Sequence, residues 1–349
     1  MNAAPARPKK PLTVAVVGAT GAVGHEFLAV MAQRKFPVGT LKLLASRRSA
    51  GQKLSYDGRE HVIEELTDKS FAGVDVAFFS AGGPISKSHG PIAAAAGAIV
   101  VDNSSAFRMD PACPLVVPEV NPEAVAGIRM GQRGGAIIAN PNCSTIIMLM
   151  AVNPIRQAVG VQRVVVSTYQ AASGAGAAAM EELRQQTADV LAGKPAQPKI
   201  FPQQYAFNLF SHNSSMQPDG YNQEEGKMVK ESHRIWGDAS VGITATCVRV
   251  PVMRAHAESV NLTLKKPLSE DDALALLAKA PGVTVVDDRA NNRFPTPLDA
   301  SHQDDVLVGR VRTDHSQSGG LGLNLFVCGD QLRKGAALNA VQIAELLLE

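Results

Sequence analysis

Short apolar runs alternate with helix-period stretches through the first part of the chain. Residues 12–17 (LTVAVV), 41–45, 74–80 (VDVAFFS), 99–102 and 136–139 read as strands, and 26–33 and 85–96 as helices around a glycine turn at 18–24. The strands are apolar almost throughout and do not alternate, which predicts a parallel sheet covered by helices on both faces. The character changes after Cys143. Residues 146–152 are an apolar run that predicts a buried helix, and 177–191 place Met180, Leu183, Thr187 and Val190 on one helical face. Longer strands are expected at 240–250 and 259–264, with a helix at 271–280 before later strands. Longer strands with fewer helices between them predict an α+β domain with a mostly antiparallel sheet. The Ala- and Leu-rich end, 335–348, reads as a helix returning to the first domain.

A length of 349 residues fits two domains. Lys and Arg total 34 against 32 Asp and Glu, a net charge of +2. That balance favours neither a nucleic-acid nor a membrane-surface partner. The four cysteines (113, 143, 247 and 328) are far apart and form no C-x-x-C pair, so free thiols in a reducing cytoplasm are expected. Residues 1–10 read as a mobile arm; 12–17 are too short for a signal core, and no stretch is long enough to span a membrane.

Gly18-Ala19-Thr20-Gly21-Ala22-Val23-Gly24 fits G-x-x-G-x-x-G between a strand and a helix. Glycines there let the backbone approach a pyrophosphate at a helix N-terminus, although an ordinary glycine turn has the same composition. The second strand ends Ala45-Ser46-Arg47-Arg48-Ser49, without the acid that holds a ribose hydroxyl in NAD sites. Arginines and serines suit a 2′-phosphate, so NADP is expected; a solvated basic loop is the alternative.

Asn140-Pro141-Asn142-Cys143-Ser144-Thr145 delivers a cysteine to the start of the apolar helix, where the dipole favours a thiolate. A small buried core residue is the plainer reading. Residues 169–176 form a polar, glycine-rich loop between a strand at 164–168 and a helix, with Gln170 as a neutral hydrogen-bond partner. Glu224 and Lys227, three apart on a helix, read as a solvated ion pair on a face different from that of Met228, Ser232, Ile235 and Trp236. Arg249 is more informative. Val241, Ile243, Ala245 and Cys247 share one strand face and Arg249 continues that row, so its charge must meet water, an internal carboxylate or a bound anion. His256 follows in the connection to the next strand.

The stretches GATGAVG, ASRRSAG, DNSSAFR, ANPNCST, TYQAASGAG, NQEEGKM, CVRVPVMRAH and CGDQLRKGAA, in this order from about residue 12 to the end, resemble the aspartate-semialdehyde dehydrogenase family. One departure is Ala139, where members often have glycine. The resemblance implies a glyceraldehyde-phosphate-dehydrogenase-like α/β fold. A Rossmann-type, doubly wound NADP-binding domain at 11–143, completed by a C-terminal helix at 331–349, joins an α+β catalytic and dimerisation domain at 144–330. It implies NADPH-dependent reductive dephosphorylation of L-aspartyl 4-phosphate to L-aspartate 4-semialdehyde through a cysteine thioester. The pathway is that of lysine (through diaminopimelate), threonine, methionine and isoleucine.

On that resemblance Cys143 is the nucleophile, His256 the acid/base and Gln170 the group that orients substrate and thioester. Arg249 clamps the substrate carboxylate with Glu224 near its amino group, while Lys227 and Arg108 hold phosphate with Asn103 nearby. Gly18, Thr20, Gly21, Ala22, Val23, Arg48, Ser49, Ser173, Gly174 and Gln331 line the cofactor site. No metal is needed, because Arg and Lys neutralise the phosphate. The assembly implied is a homodimer or a dimer of dimers. N-acetyl-glutamyl-phosphate reductases and glyceraldehyde-phosphate enzymes share the mechanism, but ANPNCST before an apolar helix and the stretch 249–256 favour the aspartyl family. A nucleotide-binding scaffold or redox sensor without turnover would be expected to lack Cys143 or His256.

Overall fold

The computed structural model describes residues 11–131 and 134–348; the arm expected at 1–10 lies outside them. The first elements are β1 (Leu12–Val17), α1 (Ala22–Arg34), β2 (Val38–Ala45), β3 (Lys53–Tyr56), β4 (Arg59–Glu65), β5 (Val76–Phe79), α2 (Gly83–Ala95), β6 (Ile99–Asp102) and β7 (Ala136–Ala139). Then come α3 (Cys143–Val159), β8 (Val161–Gln170), α4 (Ala177–Leu191), β9 (Phe210–Ser211), α5 (Gln223–Trp236), β10 (Gly242–Arg249) and β11 (His256–Leu264). The chain ends with α6 (Glu270–Leu277), β12 (Val283–Val285), α7 (Pro297–Ala300), β13 (Val306–Thr313), β14 (Gly322–Gly329) and α8 (Leu338–Glu345). Two compact units result, Met1–Asn142 with Ala336–Glu349, and Cys143–Gly335.

In the first unit a seven-stranded sheet runs β3-β4-β2-β1-β5-β6-β7, parallel except for the β3–β4 hairpin. Every residue of β5 and β6 is buried, as a sheet covered on both faces requires. The hairpin escapes the hydrophobic pattern because its strands are short and largely polar. Its turn, Asp57-Gly58, has φ of +48° and +76°, the Asp-Gly geometry that suits a tight hairpin. Helix α1 starts at Ala22, earlier than the expected 26, because the glycine motif itself caps and enters the helix. Phe27 of α1 stacks on Phe78 of β5 with centroids 4.8 Å apart. The terminal helix is broken: residues Arg333–Ala337 form a π-helical turn before α8 begins. Helix α8 packs on α1 and β6, held by Arg34–Glu345 pairs of 2.8 and 2.6 Å and by Asn339, whose amide donates to Asn140 Oδ1 at 2.7 Å.

The second unit has a seven-stranded sheet in the order β12-β13-β14-β11-β8-β10-β9. The pairs β8–β10 and β12–β13 are parallel and the other four antiparallel. Helix α3 packs on β8, β11, β13 and β14, and Ser144–Val152 are all buried in it. A helix apolar all round has no solvent face. Helix α4 turns a different side inward than expected: Ala179, Glu182, Leu183 and Gln186 are buried, whereas Met180, Thr187 and Val190 are half-buried. The reason is polar. Glu182 and Gln186 accept amide hydrogen bonds from Lys199, Ile200, Phe201, Tyr205 and Ala206, which fastens the segment after α4.

Candidate active site

In the first unit, Gly18 has φ +86°, and a Cβ there would lie 2.5 Å from the Ser80 carbonyl oxygen. A Cβ on Gly24 would lie 2.4 Å from the Gly18 carbonyl oxygen. Only glycine fits at either place, so the turn is a cradle and not merely a flexible link. Gly21 caps α1 without a side-chain hydrogen bond, and no acid lies in the first turn. Among the described residues the amides of Ala22 and Val23 have no acceptor, and Thr20 and Gly21 beside them are exposed. That arrangement fits a pyrophosphate. Arg48 and Ser49 lie in a single turn after β2, where Arg47 and Arg48 are exposed and make no ion pair among the described residues.

Asn103 and Arg108 follow β6 in the same unit. Asp102, fully buried, accepts from Ser86 Oγ at 2.6 Å and Ser104 Oγ at 2.7 Å, which shapes the turn. Arg108 is buried and donates to the carbonyls of Asn140 (2.9 Å) and Asn103 (2.8 Å). Both polar atoms of the Asn103 side chain are buried and lack a partner among the described residues. Such a group calls for a ligand or water.

The second unit gathers the remaining groups. Cys143 is the first residue of α3, half-buried, with no acid in the helix's first turn. A Cβ at Gly335 would stand 2.8 Å from that of Cys143, so glycine is what lets the segment before α8 close on the thiol. Gln170 corrects the expected loop: β8 runs on through Tyr169 to Gln170, and Gln170 lies level with Arg249 in the parallel neighbour β10. Its carbonyl oxygen accepts from Thr168 Oγ1 and its amide donates to Glu224, both at 3.1 Å. The pair Glu224–Lys227, 2.9 Å apart, is not the solvated pair expected from spacing, since the Glu224 side chain is only 6% exposed. Helix α5 is entered through a capping box of Asn222 and Glu225, and the neighbouring Glu224 is held inward by Gln170 and Lys227.

Arg249 is buried at the end of its apolar row, as strand parity requires. Its Nη1 donates to Ala171 O at 3.0 Å, and Nη2 reaches His212 Nε2 at 2.7 Å and Asn213 Oδ1 at 3.3 Å. The guanidinium lies 5.4 Å from the centre of the Phe201 ring. Among the described residues no carboxylate pairs with it, and Nε has no partner. Burial lowers its pKa, partly offset by Tyr205 and Glu224. His212 and Asn213 follow β9, two residues long and without a readable period, and Phe201 lies in the irregular chain before it, so none of the three is found by sequence reasoning.

His256 is not in the connection; it opens β11 and is fully buried. The amide of Ala171 donates to Nδ1 at 3.0 Å, so the neutral ring carries its proton on Nε2, which has no partner among the described residues. Burial, and then the Arg249 charge, push its pKa down to about 3, so the ring is uncharged at neutral pH. Gly174 packs against both groups: a Cβ there would lie 3.1 Å from His256 Nε2 and 3.4 Å from Arg249 Nη1. Ser173 and Gln331 are buried and hydrogen-bonded to each other.

A parallel-sheet unit with a glycine cradle, and a mixed-sheet unit in which His256 and Arg249 are buried beside Gly174 and half-buried Cys143 opens a helix, agree with a dehydrogenase of the semialdehyde class. Residues 13–128 match the model of the semialdehyde dehydrogenase NAD binding domain, and 152–334 that of the dimerisation domain. The aspartate-semialdehyde dehydrogenase of Synechocystis is 54% identical over 97% of this chain and 98% of its own, and that of Aquifex aeolicus 50% over 96% and 98%. Aspartate semialdehyde dehydrogenase II of Vibrio cholerae, solved in complex with ASA, superposes with a TM-score of 0.92 at 47% identity, covering 97% and 98% of the two chains. The Candida albicans enzyme, solved with NADP, gives 0.75 at 25% identity, covering 97% of this chain and 98% of its own. The chain belongs to the aspartate-semialdehyde dehydrogenase family. It is an oxidoreductase with a nicotinamide-dinucleotide-binding unit.

Proposed function

We propose that the chain converts L-aspartyl 4-phosphate to L-aspartate 4-semialdehyde with NADPH, and the reverse, through a thioester on Cys143, within the lysine, threonine and methionine pathway. One observation carries the reading. Arg249 Nε and His256 Nε2 are both buried donors without a partner among the described residues, and Gly174 packs against both side chains. Two open donors in one cluster suit a substrate carboxylate and a developing oxyanion.

The Cys143 sulfur, favoured as thiolate at the start of α3, attacks the acyl carbon; the carbon–oxygen bond to phosphate breaks and phosphate leaves with the electron pair. When bound, the reduced nicotinamide supplies the hydride that takes the thioester carbonyl to the aldehyde level. Collapse then breaks the carbon–sulfur bond and returns Cys143 as thiolate. His256 is the acid/base group of this scheme. With Nδ1 occupied by Ala171 it acts through Nε2, and its resting contribution is a hydrogen bond to the reacting oxygen.

Gln170, fixed by Thr168 and Glu224, orients the acyl group, and Glu224 takes the substrate ammonium. Lys227 and Arg108 are assigned to phosphate, with Asn103 near Arg108. Gly18, Thr20–Val23, Arg48 and Ser49 hold the nucleotide, with Arg48 on the 2′-phosphate of NADP; Ser173, Gly174 and Gln331 line the nicotinamide side. A homodimer or dimer of dimers is proposed through the sheet face opposite His256, where Tyr169 is 37% exposed beside Phe326. Among the described residues no helix is long and apolar enough to cross a membrane, and the proposed location is the cytoplasm.

The test is phosphate-dependent NADP reduction with aspartate semialdehyde. Cys143→Ala abolishes turnover while keeping NADPH binding, and Cys143→Ser keeps only a trace. Near-normal rates in the alanine variant would end the thioester mechanism.

A further inference from the structure

Ala255 stands immediately before His256 with φ +69°, the left-handed region that L side chains rarely adopt. It is fully buried, and its amide donates to Gln331 Oε1 at 3.0 Å. The other end of the Gln331 amide, Nε2, donates to Ser173 Oγ. The turn that carries Ser173 is tied to the same stretch of chain, Ala172 N to Val252 O at 2.8 Å and Ser173 N to Met253 O at 3.1 Å. One residue before that turn, the Ala171 amide meets His256 Nδ1. Gln331 is itself fixed by its neighbour: fully buried Asp330 accepts from Arg254 Nε and the His302 amide at 2.6 Å each, and from the Leu332 amide at 2.9 Å.

We infer that Gln331 is a positioning residue for His256, acting as a latch that holds Ala255 in its left-handed conformation and Ser173 against it. Without the latch Ala255 relaxes toward the extended region, and that change re-aims the first side chain of β11. Strain of this kind persists only where surrounding bonds over-determine it. The inference rests on the catalytic role proposed for His256 and adds to the cofactor-lining role of Gln331, because both polar ends of its amide already bind the protein.

The experiment is a double-mutant cycle of Gln331→Met and Ala255→Gly in the full-length enzyme. It reads kcat, the NADPH dissociation constant, the melting temperature and the His256 ring nitrogen shifts. Gln331→Met is expected to lower kcat about tenfold or more and to move the ring signals, since small misplacements of catalytic groups are costly. Glycine takes positive φ freely, so adding Ala255→Gly should recover kcat at least about threefold, with NADPH affinity equal in the single and double variants. If Gln331→Met costs the same on both backgrounds, or leaves the ring signals in place, the latch is refuted. Should Gln331→Met fail to fold, the cycle of Ser173→Ala with Ala255→Gly applies the same criterion, with coupling expected and additivity overturning the inference. A wild-type enzyme inactive on aspartate semialdehyde would instead remove the functional reading, while the ring signals still judge the latch.

Discussion

Replacing Arg249 by lysine separates a substrate clamp from a structural ion pair. The guanidinium spends Nη1 on Ala171 and Nη2 on His212 and Asn213, keeping Nε open. A carboxylate approaching that edge meets an open donor held in a fixed direction by the planar guanidinium, which a flexible ammonium does not reproduce. Lysine keeps the charge and loses one charge-assisted bond, which costs about 1.5–3 kcal/mol. A loss of about 2.7 kcal/mol is roughly 100-fold in kcat/KM. The assay is kcat/KM for aspartate semialdehyde beside the melting temperature on the same preparation. Because no carboxylate among the described residues pairs with Arg249, the expected outcome is a folded protein with efficiency reduced by about two orders of magnitude. An unchanged kcat/KM refutes the clamp, and a large drop in melting temperature with near-normal kinetics assigns Arg249 to the scaffold.

Gly174→Ala places a methyl against the His256 ring and Arg249 Nη1, so kcat should fall about tenfold with little change in melting temperature; unaltered kcat would show that the turn yields. Glu258, fully buried with neither oxygen partnered among the described residues, has its pKa raised well above the usual range by burial. For an acid raised in the folded state, stability is complete below the unfolded pKa and declines as pH rises through the folded pKa, so Glu258→Gln should flatten the fall in melting temperature above about pH 4.5. Parallel melting curves for wild type and variant across pH 5–9 would rule this out. Arg48→Ala should weaken NADPH about tenfold, the low end for an exposed charge-assisted contact, and leave NADH nearly unaffected; equal losses would place Arg48 away from the 2′-phosphate.

Much of this molecule is local chemistry and is therefore legible along the chain. The buried strands β1, β5, β6 and β7 are apolar runs bounded by turns, and a parallel sheet follows from burial of both their faces. Parity along β10 is a covalent property of extended chain, so Arg249 belonged to the apolar face before any contact was known. The cysteine at a helix start and the glycine cradle are likewise short-range patterns. Tertiary structure alone decided what those groups meet. Gln170 became a strand residue because β8 is flanked by β10 and β11, which extend its pairing beyond what its own polar end would specify. His256 became an uncharged ring because it is fully buried beside the Arg249 charge, and its proton sits on Nε2 because an amide 85 positions earlier in the chain faces Nδ1. Glu224 turned inward because Gln170, 54 positions away, and Lys227 share its carboxylate between them. Periodicity records which way a side chain points; protonation, tautomer and pairing depend on groups brought together across long loops, and no local window contains them.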